Sequence, residues 1–161
     1  MKLEQTNRII IKIGSALLFN ETSGSLNKEW LNSLAEDVKY LRENDKEVII
    51  VSSGAIAMGA KDLDLDMKNM KMDMNQAVSA VGQIHLMGSF KSAFEKNEIK
   101  ISQILLTLDD TEQRRRSINA RRTIDTLLKL GIVPVVNEND TIATSEIRYG
   151  DNDRLHQEWL K

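Results

Sequence analysis

The sequence predicts an α/β fold, in which a mostly parallel β-sheet carries helices on both of its faces. Short runs rich in Ile and Val alternate with longer amphipathic stretches along the 161-residue chain. These stretches are long enough for the crossover connections that parallel neighbouring strands require. Several runs lead directly into glycine, serine or acidic residues, which is typical of the ligand-binding edge of an open α/β sheet. The chain therefore fits one αβα sandwich domain.

The predicted elements follow from the spacing of apolar residues. Four β-rich runs predict strands at Arg8 to Ile13, Glu47 to Val51, Ile101 to Leu106 and Ile132 to Val136. Helical spacing predicts a first helix with one face formed by Leu26, Trp30, Leu31, Leu34, Val38 and Leu41. Further helices are predicted at Ala55 to Ala60, at Asn75 to Glu95 and at about Thr111 to Leu130. The long helix is predicted to have a common face formed by Ala77, Val81, Ile84 and Gly88.

Two segments depart from this regular pattern. Pro134 lies in the fourth predicted strand, although proline cannot donate to a sheet ladder and normally occupies an edge strand or a strand start. The segment Asp62 to Met74 alternates Asp or Lys with Leu or Met over much of its length. It fits an exposed hairpin, a mobile lid, part of a subunit interface or a plain surface insertion, and its methionines suit an adaptable contact.

Composition and charge exclude several classes of function. The 22 basic and 24 acidic residues leave a net charge of −2, which gives no global attraction to nucleic acid or anionic membranes. Cysteine is absent, and His85 and His156 lie outside any zinc motif, so no metal site is predicted from these residues. No apolar run approaches the roughly 20 residues of a membrane span, and the N-terminus lacks the apolar segment of a signal peptide. We expect a cytoplasmic protein.

Nucleotide-binding loops and nucleic-acid motifs are also absent from the sequence. It contains neither a GxxxxGK[ST] nor a GxGxxG loop, so any nucleotide must be held in another way. A basic cluster does occur, at Arg114, Arg115, Arg116, Arg121 and Arg122. Acidic residues precede it, and only 4% of the chain is aromatic, so bases would find few side chains on which to stack. A solvated or subunit-facing helix is the favoured interpretation.

Candidate phosphate-binding and carboxylate-binding groups follow the first two predicted strands. Lys12 lies two residues before Gly14, where its ammonium group and nearby backbone N–H groups suit phosphate oxygens. A plain surface lysine is the alternative. The turn Ser52 to Gly54 opens a helix and suits an anion, but an ordinary serine N-cap fits the same residues.

The most informative segment is Ile132 to Asp140, IVPVVNEND, followed nine residues later by Tyr149 to Asp153, YGDND. Four polar side chains directly after a buried strand would be costly if they entered the core unpaired, so they need water, a cation or a ligand. A solvated loop is the alternative. Asp151, Asn152 and Asp153 form a second cluster, which suits an ammonium group or a lysine, or else an Asx-rich turn.

Together these segments resemble the glutamate 5-kinases, a branch of the amino acid kinase family. The segments that carry the resemblance are IIIKIGSA (9–16), VIIVSSGAIAMG (48–59), AVGQ (80–83), QILLT (103–107), NAR (119–121), IVPVVNENDTIAT (132–144) and YGDND (149–153). They span nearly the whole chain. The order and spacing of the NEND and GDND elements are typical of the glutamate branch.

The resemblance implies a phosphotransferase. It implies that the γ-phosphoryl group of ATP, with Mg²⁺, is transferred to the side-chain carboxylate of L-glutamate, in the first step of proline biosynthesis. Lys12 is implied as the catalytic lysine on the ATP side, with Gly14 and Ser15 in the ATP-binding turn. The implied substrate-binding residues are Ser53, Gly54, Asn137, Asp140, Asp151 and Asn152. Asp153 is implied as a second catalytic residue.

The resemblance also implies which part of the domain is present. The chain would correspond to the N-terminal, substrate-side portion of the kinase domain, without most of the nucleotide site and without a second catalytic lysine. Homo-oligomeric assembly and feedback inhibition by proline are expected from the same resemblance. The alternatives are another kinase of the amino acid kinase family, a non-catalytic binder of glutamate or proline, and an assembly fragment.

Overall fold

The computed structural model describes residues 6–20 and 25–142, which form one sheet with helices on both sides. The strands are β1 (Arg8–Ile13), β2 (Glu47–Ser52), β3 (Ile101–Leu106) and β4 (Val133–Glu138). The helices are α1 (Ser15–Leu18), α2 (Lys28–Glu43), α3 (Ala55–Asp62), α4 (Met72–Glu95), α5 (Leu108–Glu112) and α6 (Arg114–Lys129). The strand order is β1-β2-β4-β3, and all three pairings are parallel. The predicted α/β class and parallel sheet are confirmed.

The sheet register aligns the carboxyl ends of the strands. Ile13 at the end of β1 is level with Ser52 at the end of β2, and Asn137 of β4 is level with Leu105 of β3. Val51 pairs with Val136, so the next residues along β2 and β4 come out at the same edge. All four predicted strands are confirmed, but β4 continues through Asn137 and Glu138, two residues further than the sequence predicts.

Pro134 lies near the start of β4, and β4 is an interior strand. The backbone N–H of Val133 donates to the carbonyl of Lys100, on the side of β3. Successive strand nitrogens point to opposite sides, so the Pro134 nitrogen faces β2. The pairing of β2 with β4 begins one residue later, at Val135. Proline is tolerated here because its missing N–H would face β2, and the ladder between β2 and β4 begins only after it.

Two hydrophobic cores cover the two faces of the sheet, as predicted. The larger core packs β-strand residues such as Ile50 and Val135 against residues of α2 and α4, including Val38 and Phe90. The smaller core packs the opposite face of β2 and β4 against Ile124 of α6. The predicted face of α2 is confirmed: Leu31, Leu34, Ala35 and Val38 are buried, and Leu26, Trp30 and Leu41 pack beside them.

Helix α4 buries a different face from the one that the sequence suggested. Ala77, Val81, Ile84 and Gly88 do share a face, but it is the outer one, and Ile84 is 74% exposed. The buried residues are Val78, Ser79, Gly82, Gln83, Leu86, Phe90, Ala93 and Phe94. Polar and small residues on this face masked it in the sequence. In the described part of the chain, no helix is long and apolar enough to cross a membrane.

The helix predicted at about Thr111 to Leu130 is confirmed as α6, but its first residues belong to a separate short helix, α5. Gln113 has an extended backbone, with φ −78° and ψ 108°, and separates α5 from α6. Helix α5 begins with a capping box, in which Thr107 and Asp110 each accept the other's backbone N–H. This cap starts a helix earlier than the apolar spacing indicates.

Helices α3 and α4 cross at unusually close range. A Cβ atom added to Gly59 would lie 1.9 Å from the carbonyl oxygen of Val78, and one added to Gly82 would lie 1.8 Å from that of Ala55. Only glycine fits at these two positions. The intervening residues 63–71 lie outside helices and strands, so the hairpin interpretation of Asp62 to Met74 is wrong.

Candidate functional site

The ends of β1 and β2 are tied together at the carboxyl edge of the sheet. The backbone N–H and the hydroxyl of Ser53 both donate to the carbonyl of Ile13, at 3.2 and 3.1 Å. Gly54 follows in the left-handed region, with φ +99°, and a Cβ there would lie 2.9 Å from the ring of Phe19. A side chain at this position would strain the backbone and crowd the Phe19 ring. The turn therefore brings the chain close to α1 before α3 begins.

Helix α3 begins without a serine cap, so the N-cap alternative for the Ser52 to Gly54 turn is wrong. Gly54 is the N-cap residue, and no side chain caps the helix. The Ser53 hydroxyl donates to Ile13, and the buried Ser52 hydroxyl donates to the Ser53 carbonyl at 3.2 Å. The first turn of α3 therefore presents backbone N–H groups, which suit an anion.

The polar residues at the end of β4 are buried. Asn137, Glu138 and Asp140 are 4%, 9% and 7% exposed, so the alternative of a solvated loop is wrong for them. The side-chain oxygen of Asn137 accepts the backbone N–H of Glu138 at 2.9 Å. Its side-chain nitrogen, Nδ2, is buried with no hydrogen-bond partner among the described residues. Such a donor is costly unless a ligand or water accepts from it.

Asp140 is hydrogen-bonded by Ser79 of α4. The Ser79 hydroxyl donates to Oδ2 of Asp140 at 2.7 Å, and both residues are buried. Burial raises the pKa of the Asp140 carboxyl above its ordinary value, and the Ser79 hydrogen bond partly offsets that rise. A buried carboxylate with one neutral donor is suited to receive a cationic group.

A second set of contacts supports the end of β4, and sequence reasoning did not identify it. Gln83 of α4 donates through Nε2 to the backbone carbonyl of Glu138 at 3.3 Å, and it accepts from Nε2 of Gln103 on β3 at 3.1 Å. Ser79 and Gln83 lie four residues apart on the buried face of α4. The available signal was this pair of polar residues on either side of Gly82, at the helical spacing of Val78 and Leu86.

The predicted ATP-side residues lie at the open end of β1. Lys12 is exposed. Its neighbours Ile11 and Ile13 both belong to the larger core, so the Lys12 side chain starts from the opposite face of the sheet. Gly14 is exposed, and a Cβ there would meet nothing within 4 Å. Ser15 begins α1 and is half-buried.

An open cleft of about 1090 Å³ adjoins this corner of the sheet. Ser15 and Phe19 line one side of it, Ala57 and Ala60 line another, and residues 64–69 of the α3–α4 connection complete it. The structure therefore brings Ser15, Ser53 and Gly54 to one corner, with Asn137 and Asp140 at the end of β4. Asp151, Asn152 and Asp153 lie outside the described residues.

The architecture and this polar edge define an α/β protein with a candidate ligand site at the carboxyl ends of its strands. The sequence pattern of the amino acid kinase family matches residues 7–156. The chain therefore belongs to the amino acid kinase family.

Among individual proteins, the chain is similar to several glutamate 5-kinases. It is 59% identical over 155 residues to the enzyme of Pelagibacter ubique (strain HTCC1062), which covers 96% of this chain and 42% of that protein. It is 54% identical to the enzyme of Ruegeria sp. (strain TM1040), covering 95% of this chain and 42% of that protein. The chain thus spans about two fifths of the length of these relatives.

A solved structure confirms the fold. The isopentenyl phosphate kinase of T. acidophilum superposes with a TM-score of 0.55, over 81% of this chain and 54% of that one. The sequence identity is 15%, so this likeness concerns the fold alone.

Proposed function

We propose that this chain forms the glutamate-binding part of a glutamate 5-kinase, which phosphorylates the side-chain carboxylate of L-glutamate with ATP as the first step of proline biosynthesis. The observation that carries the proposal is the buried Asp140 carboxylate at the end of β4, with a buried Asn137 donor three residues before it. The similarity to proteins named glutamate 5-kinase supports the choice of substrate.

In this proposal, Asp140 binds the α-ammonium group of glutamate. A buried carboxylate is costly when it is unpaired, and an ammonium group offsets that cost. The Nδ2 donor of Asn137 has no partner within residues 6–20 and 25–142, and it suits a carboxylate oxygen of the substrate. Backbone N–H groups after Gly54 suit the α-carboxylate of glutamate. The predicted roles of Asp151, Asn152 and Asp153 stay predictions, because these residues lie outside the described ranges.

The end of β1 fits a phosphate group. Lys12 is exposed and carries a positive charge, and the space around Gly14 is open enough for a ligand to approach the backbone. ATP, bound with Mg²⁺, would supply the phosphoryl group that is transferred. The part of this chain is to orient the acceptor carboxylate and to neutralise negative charge with Lys12, which is most of what phosphoryl transfer requires of a protein. We assign no Mg²⁺ ligand to the described residues.

A glutamate-dependent assay tests this proposal. The 161-residue chain is incubated with Mg-ATP and L-glutamate, ADP release is followed, and acyl phosphate is trapped with hydroxylamine. Since the proposal assigns this chain the glutamate-binding part, glutamate binding without turnover is the expected result. Turnover with glutamate and not with aspartate would instead show that the chain holds a complete kinase site. Folded protein that neither binds glutamate nor turns over would contradict the proposal. Homo-oligomeric assembly, proline inhibition and a cytoplasmic location belong to the same proposal.

A further inference from the structure

The contact between Ser79 and Asp140 joins two parts of the chain that are 61 residues apart. Ser79 is fully buried on α4, and its hydroxyl donates to Oδ2 of Asp140 at 2.7 Å. This distance is typical of a well-formed O–H···O hydrogen bond. A mid-helix serine more often returns its hydroxyl to the carbonyl four residues earlier. Ser89 of the same helix does so, donating to His85 at 2.9 Å.

The position of Ser79 is fixed by the close crossing of α3 and α4. Gly82 follows Ser79 by three residues, on the same buried face, and approaches the backbone of Ala55 at a range that only glycine permits. Ala55 is the first residue of α3, directly after the Ser53–Gly54 turn. The close contact of Gly82 with Ala55 therefore sets how near the Ser79 hydroxyl lies to the carboxyl edge of the sheet.

A single donor to Oδ2 restricts how the Asp140 carboxylate can rotate. When Oδ2 is held by Ser79, Oδ1 remains for a ligand, and the plane of the carboxylate is defined before the ligand arrives. Preorganised groups lose less freedom on binding, which increases affinity. In the part of the chain that the structure describes, Ser79 is the one side chain that donates to Asp140.

We propose that Ser79 is a positioning residue, whose buried hydroxyl orients the Asp140 carboxylate to receive the ammonium group of the substrate. The role of the ammonium group rests on the proposed function. The hydrogen bond itself does not, so the two can be tested separately.

The hydrogen bond is tested first in the free protein, by carbon-detected NMR titration of the Asp140 carboxyl, assigned with Asp140→Asn. Ser79→Ala is expected to raise the pKa of Asp140 further, because the hydroxyl favours the ionised form. Ser79→Cys, a weaker donor of similar size, is expected to give an intermediate pKa and serves if the alanine variant does not fold. Ser89→Ala is the matched control on the same helix and should leave the pKa of Asp140 unchanged. An unchanged pKa in both Ser79 variants would overturn the proposal.

Substrate affinity is tested second, by calorimetric titration with L-glutamate across the acid range. Ser79→Ala is expected to weaken binding about tenfold at neutral pH, the usual scale for one hydrogen bond to a charged group. It is also expected to shift the acid loss of binding to higher pH, while Ser89→Ala keeps the wild-type profile. A uniform loss without this pH shift would indicate a merely structural role and count against the proposal. If wild-type protein does not bind glutamate, the proposed function fails, and the NMR titration still decides the role of Ser79.

Discussion

Two aspartates that follow neighbouring strands of the sheet have opposite environments. Asp110, after β3, accepts from the backbone N–H and the hydroxyl of Thr107, both at 2.8 Å, and from Arg116 at 3.2 Å. Burial alone would raise its pKa, but these donors outweigh burial and lower it. Asp140, after β4, accepts a hydrogen bond from the Ser79 hydroxyl, and burial raises its pKa. Local structure supplies three donors to the Asp110 carboxylate, whereas a single hydroxyl from a distant helix donates to Asp140.

The difference is the one expected between a carboxylate with a structural role and one that binds a ligand, which is the role proposed for Asp140. The Asp110 contacts come mostly from within its own turn, since Thr107 is three residues away and Arg116 six. The Asp140 contact comes from a distant helix, and no positively charged side chain among the described residues lowers the pKa of this carboxyl. A buried carboxylate in this condition is a candidate binding group, because the fold tolerates a cost that a ligand would remove.

The largest expected effect disturbs the support of Asp140 and leaves Asp110 alone. Gly82→Ala places a Cβ atom within 1.8 Å of the Ala55 carbonyl, so α3 and α4 must separate. We expect a loss of about 3 kcal/mol or more in the free energy of unfolding, measured by urea denaturation. Gly88→Ala is the matched control on the same helix, since a Cβ there meets nothing within 4 Å.

The control should be neutral or stabilise the protein by up to about 1 kcal/mol, because alanine is the better helix former. Equal destabilisation by the two substitutions would contradict the assignment of the close crossing to Gly82.

The next largest effect is a loss of glutamate affinity that only one of the two aspartates should show. Asp140→Ala is expected to weaken L-glutamate binding about 100-fold, or roughly 2.8 kcal/mol, because the ammonium group loses its buried partner. Calorimetric titration measures the change. Asp110→Ala serves as the control and should bind glutamate with wild-type affinity. Wild-type affinity in Asp140→Ala would remove Asp140 from the proposed site.

A smaller effect concerns the cap after β3. Asp110→Ala removes half of the capping box and should cost about 1 kcal/mol of unfolding free energy at neutral pH. Because the pKa of Asp110 is lowered in the folded protein, its contribution is present above its unfolded-state pKa and is lost as pH falls through the folded-state value. The melting temperatures of wild type and Asp110→Ala should therefore converge at acidic pH. A difference that grows on acidification would be the contrary result.

The smallest effect has the opposite sign. Asp140→Asn removes a buried charge and should stabilise the protein at neutral pH by about 0.5–1 kcal/mol. The folded-state pKa of Asp140 is raised, so its ionisation costs stability above that pKa and costs nothing below its unfolded value. The advantage of the variant in thermal melts should therefore shrink as pH falls. A variant that is less stable than wild type at neutral pH would show that the Asp140 carboxylate already has sufficient partners.

The strands and the ligand edge could be predicted from sequence, because β-branched runs and their polar ends are local features. Strand β4 extends further than predicted because Asn137 and Glu138 are buried by tertiary contacts that composition does not show. The start of α5 was predictable in principle, since Thr107 and Asp110 have the spacing of a capping box.

Other features needed the tertiary structure. Helix α4 has small and apolar residues on both faces, so periodicity alone could not decide which face is buried. Ser79 was missed for a related reason. Its role depends on a contact across 61 residues, and on a helix crossing that Gly59 and Gly82 make possible.

Chemical-shift mapping with L-glutamate tests the central claim most directly. Isotope-labelled protein is titrated with L-glutamate, and backbone amide shifts are compared at the two strand ends. Perturbations at Ser53, Gly54, Asn137 and Asp140, with Thr107 and Asp110 unperturbed, are the predicted result. Saturable perturbations that spare the end of β4, or that centre on the Thr107 and Asp110 cap, would contradict the assignment of the glutamate site to Asp140.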